Sequence, residues 1–163
     1  MDTKPLEKFD GYLKEILRIG SIVCLVSLWI FISAGVFVRF FPITSLGWTD
    51  EIIELGFAWM VFLGASALWR DRSHFRVELF PLWLTGTKPG IILEIFLGLM
   101  AFIFLVIFTY EAGLLSIRAT DRSPILEITR TYFYLVMPIS GAIMIGYTIR
   151  DLLFFLQGRS SPK

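Results

Sequence analysis

One cysteine and one histidine occur in 163 residues, and no signature of a catalytic centre accompanies them. Cys24, set inside an apolar run, excludes an intrachain disulfide, a thiol relay and a cysteine-based metal cluster. His74 alone excludes bis-histidine haem ligation within the chain. A phosphate loop, a nucleophile elbow, an HExxH zinc motif and paired catalytic carboxylates are all missing, as are internal repeats and low-complexity tracts. An excess of one charge is lacking too, because 15 basic and 14 acidic residues leave a net +1; no global field draws the chain to nucleic acid. Polar surface is scarcest of all. At 56% hydrophobic and 16% aromatic residues, with a mean hydropathy of +0.73, the composition lies far outside that of a soluble domain. It specifies an all-α integral membrane protein.

About 20 apolar helical residues cross a hydrocarbon core of roughly 30 Å. Four segments qualify, at about 19–38, 52–69, 91–110 and 131–156, and they predict a single four-helix transmembrane domain over 1–163. The first follows a charged lead with no small-residue cleavage site ahead of Arg39, so it reads as a retained span. Eleven of the 15 basic residues lie in the N-terminal lead, the second loop and the C-terminal tail, against four in the first and third loops. The positive-inside rule then places both termini in the cytoplasm.

Two further segments have interfacial character. Around 5–17, Leu6, Phe9, Leu13, Ile16 and Leu17 recur at helical spacing, which suits either a helix lying on the membrane or a solvated extension of the first span. Around 77–85, Val77, Phe80, Trp83 and Leu84 suit the headgroup plane before a turn at Gly86–Gly90. In the third loop, Ser123 followed by Pro124 has the form of an N-cap and first helical residue, so the loop is expected to be helical already from that point.

The stretch Trp48 to Phe80 is apolar enough to span, yet it carries Asp50, Glu51 and Glu54 at its start and Arg70, Asp71, Arg72, His74 and Arg76 at its end. Interfaces accommodate most of these charges; Glu54, a turn deeper, needs a partner. At 100° per residue, Glu51, Glu54, Ala58, Ala65 and Arg72 fall within about 60° of one another. Carboxylates and small side chains on one stripe suit a neighbouring helix better than lipid. Pro138, Ala142 and Gly146 form a second small-residue stripe on the last span, with a kink expected at the proline. At the inner interface Arg70, Arg72, His74, Arg76 and Glu94 are expected to meet headgroups, water or one another.

The motifs "WTDE", "WMVFLGASAL", "RDRSHFRVEL" and "RSPILEITRTYFYLVMPISG" resemble those of the small, four-span, DctQ-like membrane subunit of tripartite ATP-independent periplasmic (TRAP) transporters. The resemblance covers most of the chain and is sharpest over Trp48 to Leu79. Glu54 stands where that pattern commonly has a basic residue, and Glu78 where it has Asp. The resemblance implies a bacterial inner-membrane scaffold subunit, not an enzyme, with no cofactor of its own. Its partners would be lipid, a large membrane subunit holding the sodium and organic-acid sites, and a periplasmic substrate-binding protein. Trp48, Asp50, Glu51, Arg118, Asp121 and Arg122 are the expected contacts for that soluble protein. The competing reading is an autonomous proton-coupled exporter acting as a homo-oligomer, with Glu54 or Glu94 as proton carrier.

Overall fold

The computed structural model describes residues 4–41, 47–70 and 88–156. Four long helices carry the architecture: α1 (Lys4–Phe40), α2 (Gly47–Arg70), α3 (Lys88–Arg118) and α5 (Val136–Leu156), with the single turn α4 (Thr131–Tyr134) leading into α5. All four contain stretches long and apolar enough to cross a membrane. The first three reach further than their expected spans, whereas the expected fourth span at 131–156 is divided between α4 and α5. The expected interfacial segment at 5–17 belongs to α1 and runs unbroken into the first span. The segment at 77–85 lies outside the described residues.

The helices form an open row rather than a closed bundle. Helix α1 packs on α2, α2 on α4 and α5, and α3 on α4 and α5, while no backbone approach between α1 and the later helices occurs among the described residues. Spatial order is therefore α1, α2, α5, α3. In water such a row would expose too much apolar surface to persist. In lipid that surface is solvated, and helices associate through close packing instead.

The α1–α2 seam is legible as a heptad pattern. Asp10, Leu17, Cys24, Phe31 and Val38 recur every seven residues and, with Lys14, Ser21, Leu28 and Gly35 between them, mark the covered side of α1. The opposite side of α1 is exposed, including Ile22, Val26, Trp29 and Ile30. Small residues set the helix spacing. A side chain begun at Gly20 would come within 3.1 Å of Leu63, and one at Gly64 within 3.2 Å of the Ser21 hydroxyl. Ser21 in turn donates to the Met60 carbonyl at 3.3 Å.

Helix α5 is the most covered element, burying Val136, Ser140, Met144, Tyr147 and Thr148. Its separation from α4 at Leu135 follows from Pro138, whose missing N–H leaves the carbonyl four residues earlier without its helical donor. Gly141 lies so close to the Thr109 hydroxyl that any Cβ there would collide with it. Neither Thr109 Oγ1 nor Ser140 Oγ has a conventional hydrogen-bond partner among the described residues, so the Gly141 Cα–H is the neighbour that Thr109 Oγ1 meets, a contact typical of tight helix pairs. Around Gly146, by contrast, a Cβ would meet nothing within 4 Å. Gly141→Ala is expected to destabilise the α3–α5 pair by about 1–3 kcal/mol, the usual cost of overpacking, whereas Gly146→Ala should leave stability unchanged or slightly raised. Thermal unfolding of the two purified variants in detergent distinguishes these outcomes.

Candidate functional site

Chemistry in this chain gathers at the two ends of the helix row. At the end where α2 begins, residues 119–130 fold back on themselves. Arg122 and Thr129 form an isolated antiparallel bridge, the Ser123 N–H donates to the Ile128 carbonyl at 2.9 Å, and the Arg130 N–H to the Asp121 carbonyl at 2.8 Å. The Thr131 hydroxyl closes the base on the Ala119 carbonyl at 2.8 Å. This corrects the expectation of a helix from Pro124, since residues 124–126 make only a turn.

Glu51 is the reason. Its carboxylate accepts from the N–H groups of Ile125 at 2.8 Å and Leu126 at 2.9 Å, and from the Ser123 hydroxyl at 2.7 Å. Those two N–H groups are the kind that a helix start leaves unsatisfied; here a side chain from another helix takes them. Ser123 Oγ also accepts from the Ile128 N–H at 3.1 Å, and Glu127 adopts a left-handed φ of 52°, uncommon outside glycine, which turns the chain back. Glu51 is only 8% exposed. Expected both at a partner helix and at a soluble partner, it is committed to bracing its own loop.

Glu54 parts company with Glu51. It is exposed and pairs with Arg130 Nη1 at 3.2 Å, so its cation comes from 76 residues away in sequence. The Tyr134 side chain and the Glu54 carboxylate together push the Arg130 guanidinium above its already high range. Trp59 adds a further tie, its indole N–H donating to the Tyr132 carbonyl at 3.0 Å. Of the remaining rim residues, Asp50, Arg118, Asp121 and Arg122 are exposed, and Arg122 lies 3.9 Å from Glu127. Trp48 packs edge-on against Phe31 with ring centroids 6.0 Å apart.

The opposite end holds a cluster that the charged-residue reading missed. Asp10 of α1 receives Arg70 Nε of α2 at 3.0 and 3.1 Å and the Tyr147 hydroxyl of α5 at 2.9 Å. Arg150 lies 3.8 Å from the same carboxylate, sits over the Tyr147 ring and pairs with Asp151 at 3.2 Å. The signal was present in the heptad that runs back from Val38 and ends on Asp10. Of the expected inner-interface residues, Arg70 is thus part of an intrachain lock; Arg72, His74 and Arg76 lie outside the described residues, and Glu94 falls near the start of α3.

Between the ends the interior offers little chemistry. A largely apolar groove of about 290 Å³ between α1 and α2 is lined by Cys24, Ser27, Leu28, Phe31, Leu55 and Trp59 among others. Ser27 spends its hydroxyl on the Val23 carbonyl. Among the described residues no three His, Cys, Asp or Glu side chains converge as a metal would require. Ala58 and Ala65 are half-buried on α2, and Pro138 likewise on α5, while Ala142 and Gly146 face outward.

Replacing Glu51 with Gln exchanges an acceptor oxygen for an N–H₂ group that opposes the loop donors. The expected result is a rise in hydrogen-exchange rate at the Ile125 and Leu126 amides on the order of tenfold or more, with the α1–α2 seam unchanged. Exchange mass spectrometry on the purified chain measures it.

Known proteins match this chain over most of its length. Residues 28–158 match the family of tripartite ATP-independent periplasmic transporters, DctQ component. The chain is also 25% identical over 135 residues to a Haemophilus influenzae protein named as a TRAP transporter small permease, covering 82% of this chain and 81% of that one. Four membrane-length helices and a family match across most of the sequence lead to one assignment: the chain belongs to the DctQ family, the small membrane component of TRAP transporters.

Proposed function

We propose that this chain is the non-catalytic scaffold subunit of a sodium-coupled secondary transporter that imports an organic acid across the bacterial inner membrane. In this reading a large membrane subunit holds the sodium and substrate sites, and a soluble periplasmic protein delivers the substrate. The observation that carries the proposal is the open row. Glu51, Glu54 and Arg130 at one end and Asp10, Arg70 and Arg150 at the other are engaged in holding the chain's own helices and loop, and its long outward surfaces are free to enlarge a neighbour. A transporter acting alone needs a polar path through the membrane, and the half-buried groove between α1 and α2 is apolar instead.

The distribution of Lys and Arg favours the loop end facing the periplasm and both termini the cytoplasm. Asp50, Arg118, Asp121 and Arg122 then stand on the rim that a periplasmic protein would approach, with Trp48 behind them. The Glu51-braced turn holds that rim in one shape.

Affinity purification of the chain from native membranes in mild detergent is expected to recover a much larger multispan protein in near-equal amount. Recovery of the chain alone as a homo-oligomer, with transport lost in Glu54→Gln, would replace the scaffold by an autonomous exporter. Charge reversal at Asp50, Arg118, Asp121 and Arg122 together is expected to lower uptake by the reconstituted system at least tenfold while the two membrane subunits still co-purify. Unchanged uptake would remove the rim as a docking surface.

A further inference from the structure

The row leaves several outward surfaces, and their chemistry separates the one meant for protein from the one meant for lipid. The exposed side of α1 has no ionisable group between Arg18 and Arg39, the Cys24 thiol lying on the covered side, and hydrocarbon chains satisfy it fully. Helix α2 differs. Glu54, Ala58, Val61, Ala65 and Leu68 follow one another at steps of four and three, a single stripe along the helix, with Glu54, Val61 and Leu68 exposed and the alanines half-buried. Beside this stripe Phe62 stacks on Phe108 of α3, with centroids 6.0 Å apart and planes 21° from parallel. Phe108 in turn stacks on Phe104, itself 63% exposed.

Phe104, Phe108 and Glu111 share one stripe of α3 by the same spacing, so the phenylalanine stack joins the α2 and α3 stripes into one face. Glu111 is exposed. It lies seven residues before the end of α3 at Arg118, just as Glu54 lies seven residues after the start of α2 at Gly47. Both carboxylates are therefore about 10 Å from the same end of the row. A span of 24 residues, Gly47–Arg70, is about 36 Å long, so that depth falls inside a hydrocarbon core of roughly 30 Å. Arg130 answers Glu54, while no hydrogen bond or ion pair engages Glu111 among the described residues. Lipid tails offer no donors to such groups.

Resting on the scaffold reading, we infer that the α2–α3 face is where the large membrane subunit docks. The docking element is a transmembrane helix that lies along Val61, Leu68 and Phe104 and presents a basic or hydrogen-bond-donating side chain to Glu54 and Glu111. The half-buried Ala58 and Ala65 allow its backbone to come close.

The test places the photoreactive residue p-benzoylphenylalanine at Val61, Phe104, Val26, Ile30 or Ile149, one position at a time, in the complete complex in native membranes. Irradiation is expected to give an adduct with the large subunit from Val61 and Phe104 and none from Val26 and Ile30. Adducts confined to Val26, Ile30 or Ile149 would overturn the assignment of the face, and so would an adduct between two copies of this chain from Val61. Loss of co-purification of any larger subunit with the unsubstituted chain would instead strike the scaffold reading itself. As a second readout, Glu111→Lys is expected to reduce recovery of the large subunit at least fivefold, while Val26→Leu leaves it unchanged. Equal recovery from both variants would also count against the face.

Discussion

Inside hydrocarbon every backbone N–H and C=O must be answered within its own helix or by a close neighbour, and that requirement organises this protein more than any burial of apolar surface. Four helices that satisfy themselves are under no pressure to collapse around a common core. They need only enough contact to fix their order. The α1–α2 seam supplies it with glycines and a serine opposite leucine and methionine, and the α3–α5 pair supplies it by seating Thr109 against Gly141.

Where the backbone leaves helical form, the same requirement becomes local and stringent. The turn at 124–126 stands near the membrane boundary with two N–H groups aimed at α2, and Glu51 meets both. Helix α2 thus does three things with three sides: it seats α1, it braces the loop through Glu51, and it presents Glu54, Val61 and Leu68 outward. The family relationship gives this division a setting, since the chain is one component of a tripartite transporter family.

Much of this was legible in the residues. Hydropathy gave four helices because length and apolar content are nearly sufficient for a membrane span, and the aromatic-acidic start of α2 with the FLGA motif pointed to the family. Helical arithmetic groups Glu54 and the alanines on one stripe, and α2 is helical through all of them. Glu51, only three residues away, was grouped with them but turns to the loop instead, because a 60° difference in angle is enough to meet a different neighbour. The third loop was misread for a related reason: Ser123 and Pro124 are a good helix start in isolation, and the acceptor that competes with the helix lies 72 residues distant. Asp10 escaped notice because it looked like one more charge on an amphipathic lead, when its heptad position already placed it on the seam.

The lock at Asp10 also bears on the order in which the protein is made. Arg70 lies 60 residues after Asp10 and emerges with the second helix, so an early hairpin of α1 and α2 has this ion pair available. Tyr147 follows 137 residues after Asp10, and Arg150 comes with it only when the last helix has been synthesised. One carboxylate therefore receives its partners in two instalments. The first joins the hairpin; the second registers that the final span has arrived on the correct side of α2, so that a truncated or misthreaded chain retains an incompletely satisfied acid at its N-terminal end.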